Sequence, residues 1–221
     1  MEISEELLRK ISEGRQYRPT AEVFRTADTE QESGKKEITG HACTFNEPYV
    51  LYDDGEFRIE EQIDPHAFDE CDMSDVIMQY DHRGHVYART RNNTLSVKPD
   101  NKGLAVSAEL SGTEIGCQLF EEVKGGYTDR MSFGFTVAED KTERINDHEE
   151  NKITVLRTIT KVRKLYDVSC VSIPANDGTD ISARGYVDGV IDKIKAERLA
   201  RRAAIEKLKA ECLEILGGTL D

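Results

Sequence analysis

Three side chains of this sequence together have the chemistry of an activated hydroxyl: Ser132 in DRMSFGFTV, His82 in QYDHRGH and Asp167 in LYDVSCVSI. A serine hydroxyl is a poor nucleophile until a base takes its proton. Histidine is the usual base near neutral pH, and an acid on its other ring nitrogen fixes the tautomer and stabilises the imidazolium. The three occur in the order base, nucleophile, acid, each at or beside a different predicted strand. A folded sheet is needed to bring them together.

Read as a strand, residues 129–137 place Met131, Phe133, Phe135 and Val137 on one face and Ser132, Gly134 and Thr136 on the other. The first is a core face. The second offers a hydroxyl and, about 6–7 Å further along, a residue with no side chain, which reads as open floor beside Ser132 for a substrate. A half-buried structural strand with incidental small residues fits the same pattern. In LYDVSCVSI, Leu165, Asp167, Ser169, Val171 and Ile173 share a face, so Asp167 sits among largely apolar neighbours. A buried carboxylate is costly unless paired, so Asp167 needs a partner: an imidazole, or an arginine such as Arg157 or Arg163 in a structural ion pair.

Other chemistries are weaker. Asp81, His82 and His85 fall within five residues and suit a metal ion, yet no second His or Cys cluster with ligand spacing accompanies them. No metal or cofactor is therefore assigned. The five cysteines are scattered, odd in number and free of any C-x-x-C, which reads as reduced thiols. Cys170 has no evident activating neighbour and reads as packing.

The elements that must position these groups alternate strand and turn. Ile3, Leu7, Leu8 and Ile11 predict a short amphipathic arm, and Tyr17 to Lys36 reads as a polar hairpin tip or loop. Strands follow at Glu37–Phe45, Phe57–Ile63 and Asp75–Tyr80, with Asp64 and Pro65 signalling a short helix in between. The His82 loop joins Tyr80 to VYART, and turns at Asn92–Asn93 and residues 101–103 set further strands at hairpin intervals. Ile115, Leu119, Phe120 and Val123 predict a helix closed by Gly125 and Gly126. Charged residues 139–152, including His148, read as a solvated loop before strands TVLRTITKV and LYDVSCVSI. From Val187 onwards Ile191, Ile194, Ile205, Leu208, Cys212 and Ile215 predict one long helix, its seam interrupted by Arg198 and Arg201. That helix either packs on the domain or docks another chain.

At 221 residues the chain has room for one main domain and an appendage: an N-terminal helical arm over 1–16, a domain over 17–185 and a C-terminal helical tail over 186–221. The formal charge is −13, and residues 1–185 hold 23 basic against 36 acidic side chains. This opposes binding to a phosphate backbone and is compatible with a protein partner. No apolar run approaches a membrane span, and MEISEELLRK is too charged for a signal peptide, so the expected location is cytoplasmic.

EQIDPHAF, VIMQYDHRGHVYARTRNNTLSV, DRMSFGFTV and LYDVSCVSIPAN, in that order and spacing, resemble the prohead maturation protease family of tailed bacteriophages over residues 37 to 185. The resemblance implies an α+β fold: a mostly antiparallel β-barrel with surrounding helices, similar to herpesvirus assembly proteases, here with a long C-terminal helix. It implies a serine endopeptidase acting inside the assembling procapsid in the host cytoplasm, with major capsid protein or scaffold protein as substrate, and self-cleavage. By position, Ser132 matches the nucleophile, His82 the general base and Asp167 the orienting acid. Oxyanion donors would lie in the backbone near Ala175 and Asn176. The segment departs from relatives in reading Asp81 before His82 and in carrying Ala88 where they have glycine, which leaves His85 as a second candidate base. A non-catalytic capsid-assembly or scaffolding protein on the same fold is the reading from another class. A second copy of the chain, held through the C-terminal helix, is a further candidate partner; nucleic acid and membrane are not.

Overall fold

The computed structural model describes residues 14–23, 25–26, 35–147, 152–171 and 181–217. In chain order these form β1 (Gln16–Val23), β2 (Arg25–Thr26), β3 (Glu37–Thr44), β4 (Tyr49–Asp53), β5 (Phe57–Ile63), β6 (Ile77–Tyr80), β7 (Arg83–Arg89), β8 (Leu95–Pro99), β9 (Gly103–Glu109), α1 (Glu114–Lys124), β10 (Arg130–Asp147), β11 (Lys152–Val171) and α2 (Ile181–Gly217). Strands predominate. Residues 1–13 of the predicted arm, His148 and the segment carrying Ala175 and Asn176 lie outside the described residues.

β11 is the spine of a seven-stranded sheet. One edge pairs antiparallel with β10 along its whole length, from Lys152 opposite Asp147 to Val171 opposite Arg130. Its other edge takes two parallel neighbours in succession, β5 against Ile153–Ile159 and β6 against Asp167–Cys170. β1 flanks β10, β4 flanks β5 and β7 flanks β6. β2, β3, β9 and β8 form a separate antiparallel sheet. Among the described residues neither sheet's hydrogen bonding closes on itself, so the structure is mixed α and β without a continuous barrel ladder.

The main core lies between the sheets. Ile38, Leu104, Val106 and Ala108 come from the smaller sheet, Met131, Phe133, Phe135, Val162, Leu165 and Val168 from the larger, and Leu119, Phe120 and Val123 from α1. Each such large side chain contributes about 1.5–3 kcal/mol on burial. α1 forms as its sequence dictates: the Thr113 hydroxyl accepts the Gly116 amide at 3.0 Å and Gly125 ends it. A second core cluster seats α2, with Val187, Ile191 and Ile194 packed on Leu51, Phe57, Ile59, Ile153 and Val155. The first part of α2 therefore belongs to the domain, while Leu199, Ile205 and Leu208 beyond it are exposed. The helix also begins six residues before the predicted Val187, at Ile181.

Several predicted elements differ. Residues 65–70 make successive turns rather than a helix: Asp64 caps the His66 amide, but the backbone bonds are of the i to i+3 kind, as from Ala67 to Asp64 and Asp69 to His66. Residues 17–23, read as part of a loop, belong to strand β1, where Arg18 is buried and bonds to Glu61 instead of facing water. The charged stretch after Val137 continues β10 to Asp147, and the two predicted strands opposite are the single strand β11. Side chains at 139–146 are exposed, so this arm lacks the apolar alternation that marks a strand, and backbone pairing to β11 defines it.

A buried ionic network ties β1, β5 and β11. Glu61 accepts Arg18 Nε at 2.6 Å, Arg157 Nη1 at 2.8 Å and the Tyr49 hydroxyl at 2.5 Å. Gln16 Oε1 takes further bonds from Arg18 and Arg157, and the Arg157 guanidinium lies 4.3 Å over the Tyr186 ring at the root of α2. Burial alone would raise the Glu61 pKa, but Arg18 and Arg157 outweigh it and hold the carboxyl at about 2. A depressed carboxylate stabilises the fold above its unfolded-state pKa of about 4.3 and loses that contribution as pH falls through the folded value. Glu61→Gln should lower stability at neutral pH by roughly 3–5 kcal/mol. Its denaturation midpoint should also fall less steeply than the wild type's between about pH 5 and about pH 2. Equal slopes in urea titrations of the two proteins would contradict the network's role.

Candidate active site

The site assembles where β1, β10 and β11 lie side by side. Gly134 is opposite Asp167 on β11 and Tyr17 on β1, and Ser132 is opposite Ser169. Directly opposed residues of antiparallel strands share a face, so Tyr17, Gly134 and Asp167 form one row and Ser132 stands in the next. This row is set by register alone.

β6 delivers the imidazole. It runs parallel to β11, with Ile77 beside Asp167 and Tyr80 beside Cys170, then reverses through Asp81 and His82 so that Tyr80 pairs with Arg83. Both turn residues have left-handed backbone, with φ of 47° and 57°. Such positive angles at both centres define the tight I′ hairpin, and Asp and His tolerate them better than most side chains. The Asp81 amide donates to the Cys170 carbonyl at 2.9 Å, which pins the turn to β11.

From that turn His82 bridges the other two groups. Its Nδ1 lies 2.5 Å from Asp167 Oδ1 and its Nε2 lies 2.6 Å from Ser132 Oγ. An ionised carboxylate only accepts, so the Nδ1 proton faces Asp167 and the Nε2 lone pair faces the serine hydroxyl. That tautomer is the one able to take the Ser132 proton. Asp167 is fully buried, Ser132 is 4% exposed and the His82 side chain 16% exposed, so solvent reaches the site through the imidazole edge. The Tyr17 ring packs on the imidazole at 4.3 Å between centroids.

Asp167 has more partners than the base. The Ser169 hydroxyl donates to Oδ1 at 3.1 Å, and Arg15 pairs with Oδ2. Neither Arg157 nor Arg163 is its counterion: the first belongs to the Glu61 network and the second is exposed. His85 lies exposed on β7, and it is His82 that meets Ser132. The open floor predicted at Gly134 is occupied. A Cβ there would come within 2.5 Å of Asp167 Oδ2, 2.8 Å of the Tyr17 ring and 3.0 Å of Arg15 Nε. Glycine makes room for the acid and its companions, not for a substrate.

Arg15 and Tyr17 went unread in the sequence because GRQYR alternates one polar pair with another and carries no apolar face. Ser169 was visible only as a neighbour of Asp167 on one strand face. Cys170 is buried and its thiol is pushed well above the ordinary range by desolvation, which leaves it inert. Among the described residues no three His, Cys, Asp or Glu side chains converge on a metal position.

A model of the caudovirus prohead serine protease family matches residues 23–190. No curated protein and no solved structure matches the chain.

Gly134→Ala tests how tightly the row is built. The added methyl must displace the Asp167 carboxylate or its neighbours, and a misplacement of about 1 Å costs on the order of 100-fold in reactivity. The variant should stay folded by circular dichroism yet react about 100-fold more slowly with a fluorophosphonate, a reagent that phosphonylates activated serines. Unchanged labelling would show that the acid's position does not matter to Ser132.

Proposed function

Because the chain belongs to the caudovirus prohead serine protease family, we propose that it is a serine endopeptidase that cleaves major capsid protein or scaffold protein inside the assembling procapsid, in the host cytoplasm, and also cuts itself. The observation that carries this reading is the His82 bridge, with one ring nitrogen on Ser132 and the other on Asp167. His82 Nε2 takes the hydroxyl proton as Ser132 Oγ attacks the scissile carbonyl, and the imidazolium then gives that proton to the leaving amine. Asp167 holds the ring in place and stabilises its charge. Backbone amides near Ala175 and Asn176 are the candidates to hold the oxyanion. Water, deprotonated in turn by His82, releases the acyl group and regenerates the enzyme.

The fold is read as herpesvirus-assembly-protease-like, on the support of two sheets sharing one core with α1 against it. The net charge of −13 suits a protein substrate better than a nucleic acid. The distal part of α2, with exposed Leu199, Ile205 and Leu208, suits contact with a second copy of the chain.

Ser132→Ala, co-expressed with its cognate capsid and scaffold proteins, should leave both uncut on a gel, a loss of at least about 1,000-fold. Full processing by this variant would remove the assignment. In sedimentation equilibrium the whole chain should assemble and a chain lacking residues 201–221 should run as a monomer. The same number of chains per particle in both would exclude the distal part of α2 as the oligomer contact.

A further inference from the structure

We propose that Arg15 is a positioning residue of the site: its guanidinium clamps the outer oxygen of Asp167, so that the acid presents its other oxygen to His82 with its negative charge shared. The proposal rests on the serine-protease reading and goes beyond it, since Arg15 and its companion Tyr17 lie ahead of the residues the family model matches, 23–190.

Three observations converge. Asp167 divides its oxygens, Oδ1 meeting His82 Nδ1 and the Ser169 hydroxyl while Oδ2 meets Arg15 Nη2. The arginine is itself held in place by two aromatic rings, its guanidinium carbon lying 5.2 Å from the centroid of Tyr17 and 4.6 Å from that of Tyr166. Position 134 must then be glycine, because Arg15, Tyr17 and Asp167 fill the volume a Cβ would need. A surface arginine on a random partner would have neither the seat nor the cleared space.

The clamp has two consequences. With one oxygen fixed, the carboxylate cannot rotate away from His82 Nδ1. With its charge shared, it stabilises the imidazolium less than a lone carboxylate would, so the neutral base survives to lower pH. Among the described residues, the charged and titratable groups facing the pair are Arg15 and Tyr17 from the β1 side, Tyr166 from β11 and His82 from the β6–β7 turn. The hydroxyls of Ser132 and Ser169 complete the surroundings. Arg15 is the cation paired with Asp167.

The rate of fluorophosphonate labelling is measured from about pH 5 to about pH 9 on the full-length wild type, Arg15→Ala, Arg15→Gln and Arg15→Lys, with melting temperatures recorded alongside. The midpoint of the acid limb does not depend on what fraction of a sample is folded, so a merely structural loss lowers amplitude without moving it. In Arg15→Ala and Arg15→Gln the limb should move to higher pH by roughly one unit and the plateau rate should fall about tenfold or more. Arg15→Lys, which keeps the charge, should hold the limb near the wild-type position. An unmoved limb in both neutral variants would overturn the role of Arg15 and leave the serine-protease reading intact. Absence of labelling in the wild type would instead overturn that reading.

Discussion

A carboxylate with no exposure to water governs this structure. Leaving Asp167 buried and unpaired would cost several kcal/mol, and everything around it serves to avoid that. Three donors reach it from three directions: His82 from the β6–β7 turn, Ser169 from its own strand and Arg15 from just ahead of β1. The register of β10 on β11, the glycine at 134 and the left-handed turn at Asp81–His82 bring these groups within reach of it. Once the imidazole is committed to the acid through Nδ1, its Nε2 has no proton and is aimed at the Ser132 hydroxyl. The reactivity of Ser132 follows from satisfying Asp167.

Residues 15–18 illustrate how closely site and scaffold are joined. Arg15 and Tyr17 turn to the face that carries Asp167, while Gln16 and Arg18 turn to the opposite face and enter the Glu61 network. That network also holds Arg157, which stacks on Tyr186 at the root of α2. A single strand end thus anchors the acid of the site on one face and, on the other, the ion cluster that ties the C-terminal helix to the sheet. Both ionic groups are buried, and both depend on partners far away in sequence.

The parts legible in the sequence were those with a local signature. Apolar alternation marked Phe57–Ile63 and the Ser132 strand, Thr113 and the glycines at 125 and 126 bracketed α1, and a burial argument required a partner for Asp167. Four separated motifs pointed to a family, and the matching family model covers the same region. What escaped lacked such signatures. The arm of β10 beyond Glu139 is solvated on its side chains, so only pairing with β11 makes it a strand. Gln16 and Arg18 of β1 are polar because they are buried against the Glu61 ion network rather than apolar core. The space at Gly134 was visible as an absence, but its contents came from Arg15 and Tyr17, more than a hundred residues earlier, and no spacing rule connects them. The choice between His82 and His85 was likewise beyond sequence, since it turns on the direction of a two-residue hairpin.

The most direct measurement is the rate and site of fluorophosphonate attachment, read by peptide mass spectrometry on the wild type, His82→Gln and His85→Gln. If His82 is the base that activates Ser132, the wild type takes one adduct, on Ser132, His85→Gln does the same at a similar rate, and His82→Gln is slower by on the order of 100-fold or more. An adduct elsewhere, or equal rates in the wild type and His82→Gln, would contradict it.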